Sequence, residues 1–141
     1  MKVFNYQFIL GLILLLGFTS SHAADKVLYS GKLEADFRSW GSDSLSGDWR
    51  ISERGGKKYV QLLNNFDAKK GPDVKIFLSK QAQANVTGDN AANKAVFISL
   101  VSQFEGSSEY EIPADIDIRQ FRTLIFHCEA YSKLWGSSQI Q

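Results

Sequence analysis

Apolar and polar residues alternate with a period of two along most of this chain, the period of strands that bury one face of a sheet. Val27, Tyr29, Gly31, Leu33, Ala35 and Phe37 fall on one side of such a strand, with Lys32, Glu34 and Asp36 on the other. Trp49 and Ile51 alternate with Asp48, Arg50 and Ser52, and Val74, Ile76 and Leu78 with Lys75 and Ser79. Gly55-Gly56 before residues 59–63 reads as a tight hairpin turn. Residues 96–104 are more continuously apolar, which suits a central strand covered on both faces. Segments 109–112, 124–129 and 134–140 complete about eight strands. No stretch longer than about ten residues keeps a helical period, and the best candidate is one short turn in 114–121, after Pro113. The expected fold is all-β: an antiparallel β-sandwich, jelly-roll-like, with at most one short helical turn. Residues 80–94, rich in Ala, Asn, Gln and Gly, read as a long surface loop, either mobile or a binding edge. Within it Asn85-Val86-Thr87 has the spacing of a glycan acceptor.

The N-terminus obeys a different logic. Lys2 precedes an uncharged apolar run at 8–18 (FILGLILLLGF), and Ser21-His22-Ala23 places small residues at a plausible cleavage point. The run is shorter than the roughly 20 residues of a spanning helix, and no second apolar run follows. Residues 1–23 are therefore expected to be a cleaved signal peptide, with 24–141 a single domain that is secreted or periplasmic and has no membrane span. The cut removes only Lys2 among the charged residues, so fifteen basic and fifteen acidic residues remain. So balanced a charge offers no footprint for nucleic acid.

Reactive side chains are sparse. Beyond Ala23 the chain holds one cysteine (Cys128), one histidine (His127) and no methionine. Such a set is too small for a structural zinc site, and neither CxxCH nor GxSxG occurs. No metal site and no hydrolytic machinery are expected. A lone thiol in an oxidising compartment has to be buried, liganded or open to another molecule.

Three segments carry a resemblance. Residues 62–79 read LLNNFDAKKGPDVKIFLS, residues 110–129 read YEIPADIDIRQFRTLIFHCE, and residues 131–140 read YSKLWGSSQI. Their order and spacing resemble the DM13 domain, the electron transfer DM13 family, over most of 31–140. The resemblance implies an extracytoplasmic β-sandwich, found alone in bacteria or beside DOMON and cytochrome modules, centred on a cysteine that matches Cys128. It implies a redox role, through the thiol itself or through a bound prosthetic group such as haem, with a redox protein as partner. Two departures stand out: His127 occupies a place often taken by Trp, and residues 47–48 fit the pattern loosely.

Read as residues, Cys128 shares a strand face with Leu124 and Phe126, which is the position of a small core residue, inert when buried. His127 faces the other way with Glu129, as a polar edge or a partner of a ligand. Gly71-Pro72-Asp73 reads as a turn in which Asp73 bonds a following amide or lines a site. Trp40, Trp49 and Trp135 are core residues or, if exposed, a sugar-stacking platform. Asp115 and Asp117 are expected to cap the turn after Pro113. The redox candidate is thus Cys128, with His127 and Asp73 secondary. The alternative is a non-catalytic binding or adhesion module, for glycan or protein, with Cys128 in its core.

Overall fold

The computed structural model describes residues 23–38 and 44–140; the expected signal peptide up to His22, and Trp40, lie outside the described residues. Eight strands of five to seven residues carry the fold: β1 (Lys26–Lys32), β4 (Asp48–Arg54), β5 (Lys57–Leu62), β7 (Val74–Ser79), β8 (Val96–Leu100), β9 (Ser108–Ile112), β10 (Thr123–Cys128) and β11 (Lys133–Gln139). Two-residue strands β2 (Glu34–Ala35), β3 (Leu45–Ser46) and β6 (Asp67–Ala68) complete the set. All pairing is antiparallel, in sheets ordered β1-β4-β5-β9 and β2-β11-β10-β7-β8, with β3-β6 as a small third ladder.

The two larger sheets close on one apolar core. Trp49, Ile51, Val60, Leu62, Tyr110 and Ile112 of the first meet Val74, Ile76, Leu78, Leu124, Phe126, Cys128 and Trp135 of the second. Among them, Trp49 with Ile51, Val74 with Ile76 and Leu78, and Leu124 with Phe126 and Cys128 are sets that the alternation puts on one face. Gly55 and Gly56 both have positive φ, 59° and 77°, the requirement of the two-residue turn that joins β4 to β5. Asp117 caps the 3-10 turn Ile118–Gln120: it accepts from the Arg119 amide at 3.1 Å, and the Arg119 side chain holds its carboxyl down to about 2. Asp115 is merely exposed. Two further 3-10 turns lie at Gln83–Asn85 and Glu129–Tyr131.

The outer face of the four-stranded sheet is polar and cross-linked. Gln61 is its hub, accepting from Arg50 at 2.5 Å and Ser52 at 2.8 Å, and donating to Asp25 at 2.8 Å and Glu109 at 2.6 Å. Arg54 closes the network on Glu109 at 2.6 Å. An amide buried in this way is tolerable only because its oxygen and nitrogen are both satisfied.

Three expectations change. Segment 96–104 does not form a central strand: β8 ends at Leu100 and sits at the edge of its sheet, with Phe97 49% and Leu100 51% exposed. The central place belongs to β10, every residue of which is buried. Apolar content reports burial, whereas place in a sheet is set by long-range pairing. Secondly, the register shift between Val27 and Tyr29 takes Val27 out of phase, and Phe37 lies beyond β2 and is 74% exposed. Thirdly, 80–94 is not a loose loop but a packed cover. Val86 and Ala91 are buried against Phe77, Ile125 and Leu134, forming a second apolar cluster on the outer face of the five-stranded sheet. Asn90 pins it, accepting from the Thr87 amide at 2.8 Å and donating to the Asn85 carbonyl at 2.9 Å.

Phe126 fills the main core beside Phe66, with ring centroids 6.0 Å apart. Phe126→Ala is expected to cost about 3–5 kcal/mol in denaturant unfolding. Phe37→Ala, at an exposed site, should stay within about 0.5 kcal/mol of the parent.

Candidate functional site

Cys128 ends β10, paired with Val74 of β7 and Lys133 of β11. Its side chain points inward with Leu124 and Phe126 and has 0% exposure. The thiol donates to the Pro72 carbonyl across 3.1 Å. Pro72 itself is exposed, so the thiol's acceptor belongs to a surface residue of the Gly71-Pro72-Asp73 turn.

Asp73 holds that turn down. Its φ of 57° is left-handed, a conformation that Asp tolerates better than most residues. Rather than bonding a following amide of its own turn, its carboxylate accepts from the Ala130 amide at 3.1 Å, immediately beyond β10. It also lies 3.2 Å from Lys75 Nζ, which reaches Glu129 at 2.7 Å. The Glu129 hydrogen bond is the main reason that the Lys75 ammonium titrates above its ordinary value. These contacts join the residues flanking Val74 to those just past Cys128, and so fasten the cover over the sulfur.

His127 faces outward from β10, away from Cys128. The register shift between β10 and β11 at Phe126/His127 leaves the pairing with β7 regular, and the two side chains stay on opposite faces. The expected polar edge is nevertheless wrong. His127 is 3% exposed, roofed by the 80–94 segment, with Nε2 2.8 Å from the Gly88 carbonyl and the ring edge-on to Phe77. A carbonyl only accepts, so Nε2 carries the proton, and buried Nδ1 is left without a partner. A Cβ on residue 88 would fall 2.3 Å from the Ser132 carbonyl oxygen, so only glycine lets the roof come this close.

Trp49 and Trp135 are both buried. Trp49 belongs wholly to the core; Trp135 donates Nε1 to the Lys69 carbonyl at 2.8 Å. The tryptophan platform is thus not formed by these two. Among the described residues no three His, Cys, Asp or Glu side chains gather as a metal-binding group. Nor is any helix among them long and apolar enough to cross a membrane.

A haem iron on Cys128 does not fit this arrangement. A thiolate ligand needs a deprotonated sulfur with an open side, whereas this sulfur has no exposed surface and commits its proton to Pro72. What the geometry offers is a protonated, covered thiol whose cover is a short, charge-fastened turn. Sequence reasoning had the turn, the cysteine and Asp73 as separate features. It missed Pro72 as the thiol's acceptor and Gly88 as the acceptor for His127.

Burial lowers the His127 pKa, against the opposing pull of the Gly88 hydrogen bond; Glu129, Lys75 and Asp73 contribute smaller charge effects. The unfolded chain therefore takes up the proton first as pH falls, so this contribution to stability is complete above the ordinary imidazole value of about 6.5 and is lost below it, toward the depressed folded pKa. Denaturant midpoints should fall between about pH 7 and pH 5, and His127→Gln should flatten that slope.

Comparison with curated proteins and with solved structures finds no match. A family model described as Electron transfer DM13 matches residues 15–140, from before the first strand to the end of the last. With that match spanning nearly the whole chain, the protein belongs to the electron transfer DM13 family.

Proposed function

We propose that this chain is an exported electron-transfer domain in which Cys128 is a guarded thiol, reached when the Gly71-Pro72-Asp73 turn lifts. The carrying observation is the thiol's acceptor: its hydrogen bond goes to the carbonyl of an exposed proline. Family membership supports a redox role. Local opening of a turn costs less than global unfolding, because few apolar contacts are broken.

Once uncovered, Cys128 loses its carbonyl acceptor, gains water and can ionise. The thiolate attacks one sulfur of a disulfide-bearing partner protein. A mixed disulfide forms, the partner's S–S bond breaks, and the departing sulfur leaves as a thiolate that takes up the proton. Cys128 sulfur is oxidised as the departing sulfur is reduced. A thiol of a second molecule, attacking the partner's sulfur in the mixed disulfide, returns Cys128 to the reduced form. Asp73 regulates access and takes no part in the bond changes, and His127, on the opposite face, does not serve as the base.

Export is supported by Lys2, the apolar run at 8–18 and the small residues at 21–23. Cutting after Ala23 leaves Asp25 in place for Gln61 and Arg54. Protein recovered from an exporting host should have an intact mass that begins at Ala24; recovery of all 141 residues would end this part of the proposal.

The thiol reading is tested by labelling native protein with 5,5′-dithiobis(2-nitrobenzoate). Labelling should outpace global unfolding, and Asp73→Gly, which keeps the left-handed backbone but removes both fastenings, should speed it by about tenfold or more. Labelling that keeps pace only with global unfolding in both proteins would leave Cys128 as a core residue. That outcome would favour the binding-module alternative, which the sulfur's lack of exposure already fits.

A further inference from the structure

Beside the same turn, on its solvent side, an open cleft of about 290 Å³ is lined by Lys70, Gly71, Pro72, Tyr131, Lys133 and Trp135. Its surface is mostly carbon. The indole is fixed by its bond to the Lys69 carbonyl, and a Cβ on Gly71 would lie 2.5 Å from Trp135 Cζ2, so glycine alone lets the turn rest against the ring. Tyr131, by contrast, is 67% exposed. Two of the lining residues are exposed lysines. Arg50, Arg54, Lys57, Lys75 and Arg119 each have a carboxylate within 4 Å, whereas Lys70 and Lys133 have none among the described residues.

We propose that this cleft binds a small planar aromatic anion. The exposed Tyr131 phenol and the Pro72 ring favour a flat apolar ring, and the buried Trp135 indole backs the wall behind them. The two unpaired ammonium groups at the rim supply the complement to an acidic substituent. A sugar would need several hydrogen-bonding side chains around the ring, and the lining offers only the lysines and the tyrosine hydroxyl. The volume lies at the lower end of small-molecule sites, matching one or two fused rings. Pro72 forms part of the cleft wall and also covers Cys128, so the ligand rests against the thiol's cover without touching the sulfur. Binding is independent of thiol chemistry.

The test is a titration of the isotope-labelled mature domain with naphthalene-2-sulfonate, followed through the Trp135 indole N–H and the amides of residues 70, 71, 73 and 131–135. Saturable shifts confined to these groups are expected. The double variant Lys70→Gln/Lys133→Gln, Tyr131→Ala, and the neutral probe naphthalene-2-methanol with the parent protein should each show about tenfold weaker binding. Both sets of substitutions are at exposed positions, so the fold should survive them. Cys128→Ser should bind as the parent does, which separates this site from the guarded-thiol reading. Absence of saturable shifts, shifts spread over other surfaces, or equal affinity for the neutral alcohol would each overturn the proposal.

Discussion

A six-residue strand buried on both faces organises this domain. The backbone of β10 is paired on one side with β7 and on the other with β11, and its side chains divide between two apolar environments. Leu124, Phe126 and Cys128 enter the core between the sheets, while Ile125 and His127 enter the smaller cluster roofed by 80–94. Such a strand cannot be accommodated by a simple two-layer sandwich, whose outer faces meet water. The third layer, a cover tied down by Asn90 and admitted by Gly88, is therefore a requirement of β10 and not an ornament of the surface.

The same strand places the two most reactive side chains of the domain under separate covers. His127 lies beneath a roof whose glycine carbonyl fixes its tautomer, and Cys128 beneath a turn whose proline carbonyl takes its proton. Adjacent in sequence, they are separated by the thickness of the sheet, so they share no proton and act independently. The fastening over the sulfur is ionic and partly exposed, which makes it weaker than the apolar packing below and open to water and salt.

How much of this the sequence contained depends on the kind of statement. Inward-facing sets such as Trp49 with Ile51, and Leu124 with Phe126 and Cys128, could be read from period two alone, because side-chain direction along a strand is local. The hairpin at Gly55-Gly56 was legible for the same reason. Whether an outward face is wet is not a local property. His127 looks polar-edged until the cover from 80–94, some forty residues earlier, is laid over it. Likewise 96–104 has the composition of an inner strand yet occupies an edge, because strand order is decided by pairings across the chain. Asp73 was recognisable as a turn residue, but its true partner, the Ala130 amide, lies on a segment that only the fold brings near.

The edge position of β8 has a physical consequence of its own. Val96–Leu100 carries no charged residue, and among the described residues no strand pairs with the other side of its backbone. Nature usually blunts such margins with lysine or proline. Here the bend introduced where β7 and β8 slip register, between Ile76 and Phe77, is what spoils the straight template that another extended chain would need. A change that restored regular pairing at that point would therefore straighten the margin into a template on which a neighbouring chain could add a strand.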